Sequence, residues 1–278
     1  MKSALRTRIL ASPAARIAAF PTRTAAVAKA NSHFFGESTR WLFRSREHTN
    51  YTYDLTTLNR KHLAWFVANV AWIDIETARD YIDEVLNDDA LKRHIADATR
   101  KSSRRWLADP SALLGRRIGW YALVRARKPQ HVVETGTDKG LGSVVLAAAL
   151  LRNGSGRLTT IDNNPASGYL ISGAYATVVD RAIGDSVCTL GSLSGVDFFL
   201  HDSDHAAAYE RRELETVGGA LTENALVLSD NAELTDELAD WAERTERRFA
   251  FFDERPVNHW FEGVGIGVAY RPAPRASR

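Results

Sequence analysis

Two short segments in the last third of the chain hold residue types that could do chemistry together. Asp202-Ser203-Asp204-His205 follows the apolar run Val196 to Leu200, and Asp230-Asn231 follows Ala225 to Leu228. Both runs read as buried strands, and in an open parallel sheet the carboxyl ends of the strands form the ligand edge. Two carboxylates and an amide oxygen would then meet at one rim, with a histidine three residues after the first carboxylate. Hard oxygen ligands suit a divalent cation, and histidine titrates near neutrality. The combination points to metal-assisted deprotonation of a hydroxyl group, with His205 as the base.

Such a rim needs a sheet behind it, and the residues past Pro129 alternate between strand and helix patterns. Strands are expected at His131–Glu134, Arg157–Asp162, Val196–His201, Ala225–Ser229, Phe249–Phe252 and Val264–Tyr270, with a weaker one approaching Asp185. Helices are expected at Leu141–Leu151, Ala166–Thr177, Ala206–Val217 and Glu233–Arg247. The fold class is therefore α/β: a Rossmann-like doubly wound seven-stranded sheet with an antiparallel C-terminal edge, preceded by a helical N-terminal extension. Ahead of the sheet, Glu76 to Leu91 and Ser111 to Arg127 carry helical spacing, and Lys128-Pro129 stops the second. Three parts follow: a basic arm over 1–30, a helical, aromatic-rich region over 31–110, and a catalytic domain over 111–278.

The first strand leads into Glu134-Thr135-Gly136-Thr137-Asp138-Lys139-Gly140-Leu141-Gly142-Ser143. This glycine-rich turn lets backbone approach a ligand, yet it matches neither the dinucleotide fingerprint nor a phosphate loop. Glu134 is placed to attract a cation. Asp162 ends the second strand, where an acid commonly accepts hydrogen bonds from ribose hydroxyls. Gly184-Asp185-Ser186 ends the third, beside the position of an adenine edge. An acidic rim without a phosphate grip favours a nucleoside that carries positive charge over NAD. Asp162 and Asp185 also suit helix caps or turns, and Asp204 suits the cap of a helix starting at His205. His201 reads as structural, and Tyr209 as packing or substrate contact.

Taken together, Glu134-Thr-Gly-x-x-x-Gly, Asp162, Gly184-Asp185-Ser186, Asp202-x-x-His205 and Asp230-Asn231 resemble a class I S-adenosylmethionine-dependent methyltransferase. The later motifs are similar to its metal-dependent O-methyltransferases. Catechol and caffeoyl-CoA O-methyltransferases share Asp202 and Asp230-Asn231 but carry lysine at the position of His205. Asp-x-x-His is similar to the macrocin and mycinamicin sugar O-methyltransferases. The resemblance spans about residues 112 to 271. It implies Mg²⁺ on Asp202, Asp230 and Asn231, and His205 as the group that takes the hydroxyl proton. It also implies S-adenosylmethionine held by Glu134, Gly136, Thr137, Gly140, Ser143, Asp162, Asp185 and Ser186. The expected partner is a small molecule bearing a hydroxyl: a sugar, a natural product, a vicinal diol or a phenol. The alternative is a non-catalytic methyltransferase-like module that uses its N-terminal region as an interaction surface.

Composition sets the remaining bounds. A net charge of +2 gives no case for nucleic acid, and the single cysteine, Cys188, excludes an internal disulfide and a cysteine zinc site. A reducing cytoplasm is the default compartment. No apolar run approaches a membrane-spanning length. No acid precedes Glu37, whereas Lys2, Arg6, Arg8, Arg16, Arg23 and Lys29 do. This arm is open to three readings: a mobile tail, a contact for an anionic surface or partner, and a cleaved transit peptide. A homo-oligomer is compatible with all of them. The aromatics of Asn50-Tyr51-Thr52-Tyr53-Asp54 suit either a substrate lid or packing, and Trp260 suits either the acceptor site or the sheet edge.

Overall fold

The computed structural model describes residues 13–48 and 51–272. Lys2, Arg6, Arg8 and Asn50 lie outside the described residues. The chain divides into two units, one ending at Ser45 and including Asn258–Phe261, the other holding Arg46–Val257 and the residues from Glu262 onward. In the first unit, α1 (Pro13–Ala18) leads into α2 (Phe20–Arg44). Trp260 packs edge-on against Trp41 there, with ring centroids 5.4 Å apart.

In the second unit, β1 (Asp54–Leu55) precedes α3 (Thr57–Ala71), α4 (Ile75–Leu86), α5 (Asp89–Lys101) and α6 (Arg117–Arg127). The expected continuous helix from Glu76 to Leu91 is interrupted. Asn87 ends α4, and the Asp88 carboxylate accepts from Leu91 N–H at 2.9 Å, capping α5. The helix expected from Ser111 instead begins at Arg117, because Gly115 takes a left-handed φ of 52° just before it. Left-handed Lys128 closes α6 ahead of Pro129.

The sheet strands are β2 (His131–Thr135), β3 (Arg157–Asp162), β4 (Val179–Ile183), β5 (Val196–His201), β6 (Leu221–Asp230), β7 (Arg248–Asp253) and β9 (Gly265–Tyr270); β8 (Pro256–Val257) pairs with β1. Their order is β4-β3-β2-β5-β6-β9-β7. The first five run parallel, while β9 runs antiparallel to both β6 and β7. This is the doubly wound sheet with an antiparallel edge that the spacing predicts. Between them lie α7 (Leu141–Asn153), α8 (Ser186–Leu190), α9 (Ala207–Gly218) and α10 (Glu237–Arg244).

Successive strand residues face opposite sides, so the two layers can be read from β2 and β5. Val133 and Phe199 join Leu214, Val217, Leu238 and Trp241 in a core closed by α9 and α10. On the helical side, α7 packs on α6, and α3 and α4 pack on α6 in turn. Every residue of α7 from Leu141 to Leu150 is buried, which explains why its sequence is apolar all round. Two helix expectations shrink and a third shifts by one residue. Ala166–Thr177 yields only a 3₁₀ turn at Gly173–Val178, because Gly168 and Gly173 take positive φ. Glu233–Arg247 reduces to α10, and the Glu233 carboxylate instead accepts from Gly265 N–H at 2.8 Å. The helix expected from Ala206 starts at Ala207, with no side-chain cap.

The strand order reverses between β2 and β5, and their carboxyl ends open side by side. Such a switch point leaves a crevice that helices on neither face can fill. The candidate site lies there.

Candidate functional site

A cavity of about 750 Å³ opens at the carboxyl ends of β2 to β5. Gly136 forms its floor with φ of 87°, and a Cβ there would fall 1.8 Å from the Asp202 carbonyl oxygen. Only glycine lets the turn pass this close to the end of β5. Asp202 N–H in turn donates to the Thr135 carbonyl at 3.0 Å, tying the two strand ends together.

Of the residues expected to hold a cofactor, Gly136, Thr137, Asp162, Asp185 and Ser186 line the cavity. Glu134, Gly140 and Ser143 do not; they stand behind its wall. Glu134 is buried and accepts hydrogen bonds from the Ser143 and Thr160 hydroxyls. Burial nevertheless raises its carboxyl to about 7, those hydrogen bonds pulling the other way. Gly140, with φ of 88°, starts α7.

The rim acids also serve local backbone. Asp162 accepts from Asp138 N–H and Asn164 N–H, each at 2.8 Å. Asp185 caps α8 by accepting from Cys188 N–H at 2.9 Å. Asp204 accepts from Ala206 N–H at 3.0 Å, a turn before α9 in place of the expected cap at His205. Beneath them Glu213 collects the Thr135, Ser186 and Ser203 hydroxyls and His201 Nδ1, the last at 2.6 Å. That buried network holds the ends of β2 and β5 and the start of α8 in one arrangement. His201 is fully buried, and its ring lies edge-on to His205 at 5.6 Å between centroids. Tyr209 donates toward Asp185 and shares a hydrogen bond with Ser186, so it supports the rim as well as lining it.

On the β5–β6 side, Asp202, His205 and Asp230 each offer a ligand atom within 4.8 Å of one another. His205 lines the cavity with its side chain about one-quarter exposed, and burial lowers its imidazole below the ordinary histidine value. Its imidazole is therefore neutral at pH 7. Burial, and then the neighbouring Asp230 charge, raise the Asp202 carboxyl well above the ordinary carboxylate range. Asn231 takes φ of 57° and does not line the cavity, and neither does Asp230.

Asp230 meets a residue that the sequence reading missed. Both of its carboxylate oxygens accept from Arg116, through Nε and a terminal nitrogen. A further Arg116 nitrogen donates to the Tyr53 hydroxyl at 2.8 Å and approaches Glu254 at 3.3 Å. Tyr53 donates to Glu254 at 2.5 Å, and Val264 N–H closes the network on the same Glu254 oxygen at 2.8 Å. Burial opposes the charge on Asp230, but Arg116 outweighs it and lowers the carboxyl.

Arg117, also missed, is only 5% exposed yet lines the cavity. Its Nε has no hydrogen-bond partner, and its guanidinium lies over the Trp120 ring at 5.5 Å. Among the described residues no carboxylate pairs with it within ion-pair distance. The other cation of the wall, Lys139, lies 3.9 Å from Glu47. One signal in the sequence pointed to both arginines. That signal is the adjacent pair of cations ahead of the apolar helix; only the structure places them at its N-terminal end, where the macrodipole disfavours cations, so other groups must hold them there.

Residues 133–232 match the family model of a methyltransferase domain. No curated protein matches the chain in sequence. Among solved structures, the chain is similar to the O-methyltransferase TomG from Streptomyces achromogenes, involved in tomaymycin synthesis and solved with S-adenosylmethionine. The two are 20% identical over 67% of this chain and 91% of that one, with a TM-score of 0.48. A methyltransferase from Geobacter sulfurreducens is 23% identical over 70% and 94%, with a TM-score of 0.49. A methyltransferase from Podospora anserina, bound to S-adenosylhomocysteine, is 18% identical over 67% and 88%, with a TM-score of 0.45. No helix of the described residues is long and apolar enough to cross a membrane.

Proposed function

We propose that the chain is an S-adenosylmethionine-dependent O-methyltransferase acting on a hydroxyl of a small molecule. The observation that carries this reading is the charge pattern of the cavity. Five acids line it, Asp138, Asp162, Asp185, Asp202 and Asp204, together with one buried guanidinium that no carboxylate among the described residues pairs. A buried cation without a counter-charge is costly unless a ligand supplies one. S-adenosylmethionine has the matching pattern: a sulfonium, an ammonium, two ribose hydroxyls and a single carboxylate. Arg117 would take the carboxylate, Asp162 the ribose and Asp185 with Ser186 the adenine side. Gly136 keeps the middle of the cavity clear of side chains.

When bound, the cofactor supplies an electrophilic methyl group. The chain's own contribution is to place a hydroxyl and remove its proton. His205, neutral and at the cavity wall, accepts that proton on its imidazole. Asp202 Oδ1 lies 3.9 Å from His205 Nε2, within reach of the same incoming hydroxyl. The Glu213 network fixes His201 behind it, so the base has a defined position.

The expected divalent ion is a different matter. The donor types suit one, but a guanidinium already holds both Asp230 oxygens, and Asn231 is not on the cavity wall. The residues as arranged do not fit a resident Mg²⁺.

Calorimetric titration of S-adenosylmethionine into the full chain tests the reading. Saturable one-to-one binding is the expected result. An absence of heat at millimolar cofactor contradicts it.

A further inference from the structure

The β5 and β6 strand ends present the residue types of a metal site, and the structure supplies their cation from within the chain. Arg116 is 7% exposed, and its guanidinium is bidentate on Asp230. Bidentate pairing satisfies the carboxylate with directed hydrogen bonds as well as charge. The same guanidinium is held from its other side by Tyr53 and Glu254, so it is anchored at three groups drawn from the residue before β1, the turn after β7 and the end of β6. A divalent ion on Asp230 would share that carboxylate with a fixed positive charge in a buried setting. Mg²⁺ also asks for several close oxygens in strict octahedral order.

We propose that Arg116 is a resident cation standing in place of the divalent ion, and that the Asp202–Asp230 pair binds no Mg²⁺. Arg116 is then a positioning residue. It neutralises Asp230 and fixes the end of β6, leaving Asp202 and His205 facing the cavity. For the reaction it serves, the inference rests on the methyltransferase reading above; for the absence of a bound ion it does not. Methyl transfer by this chain is accordingly insensitive to chelators.

The test is Mn²⁺ titration of the full chain followed by electron paramagnetic resonance, with S-adenosylhomocysteine binding measured on the same samples. Wild type is expected to show no saturable Mn²⁺ binding up to about 1 mM, the range of weak carboxylate sites. Arg116→Gln removes the charge while keeping a polar side chain, and is expected to gain a site at least about 10-fold tighter that Asp230→Asn abolishes. Arg116→Lys keeps the charge and is expected to stay closed to Mn²⁺. Submillimolar binding by wild type that Asp230→Asn abolishes overturns the proposal, and that arm decides even if Arg116→Gln does not fold. A folded Arg116→Gln that gains no Mn²⁺ site also overturns it. Failure of S-adenosylhomocysteine to bind wild type sinks the methyltransferase reading and leaves the metal result standing.

Discussion

At the ends of β3 and β4, Asp162 and Asp185 accept from neighbouring backbone N–H groups and still face an open cavity. At the end of β6, Asp230 is fully buried and both its oxygens are occupied by an arginine 114 residues away in sequence. From the sequence these acids look alike, each at or just past the end of an expected strand. The difference lies in what completes them. Local turns complete the first pair and leave room for a ligand; a long-range guanidinium completes the other and leaves none. An acid at a strand end therefore marks a rim, while its partner decides whether it binds anything.

The comparison can be broken most directly at the base that faces both halves. His205→Ala is expected to lower turnover of an accepted hydroxyl substrate by about 10²- to 10⁴-fold while cofactor affinity holds. An unchanged rate would place the base elsewhere. Next in size is Asp230→Ala, which strands a buried arginine. Urea unfolding should show a loss of about 3–5 kcal/mol, the usual cost of breaking a buried pair from one side. A loss below 1 kcal/mol, roughly that of a surface pair, would mean that the Arg116 network is not closed as described.

Glu134 sharpens the contrast through pH. Its folded carboxyl is raised to about 7, so the folded state keeps a proton that the unfolded chain releases above about pH 4.5. Stability attributable to Glu134 is therefore present at low pH and lost as pH rises through this window, by about 3 kcal/mol in all. Glu134→Gln should flatten that slope in unfolding curves taken between pH 5 and 8. An identical slope in the variant would contradict the burial argument. The smallest effect belongs to Asp162→Ala, with about 1 kcal/mol of stability and roughly 10-fold in cofactor affinity. If it costs as much stability as Asp230→Ala, the proposed difference between the two halves of the rim disappears.

β5 and β6 were legible because each is an apolar run ended by a turn residue, whereas β4, Val-Asp-Arg-Ala-Ile, gave a weaker signal; the rim followed from the parallel order. Helix starts were less so. Ser111 to Arg116 shares the periodicity of α6, but left-handed Gly115 breaks the helical path just before Arg117. Over Ala166–Thr177 the strand–helix alternation predicts a helix, and positive φ at Gly168 and Gly173 overrides it. In the site, residues near each other in sequence were found, whereas Arg116 and Arg117 were not. Their roles depend on Asp230, Tyr53 and Glu254, and on a cavity wall, which come together only in the fold.

One measurement bears on the central claim, that the open half of the rim reads a cofactor with one carboxylate. S-adenosylhomocysteine and 5′-methylthioadenosine, which lacks the amino-acid end, would be titrated into wild type and Arg117→Gln. Wild type should prefer S-adenosylhomocysteine, and the variant should weaken it by about 10- to 100-fold while leaving 5′-methylthioadenosine unchanged. Equal affinity for the two ligands in wild type, or an Arg117→Gln variant that binds S-adenosylhomocysteine as well as wild type does, would contradict the account.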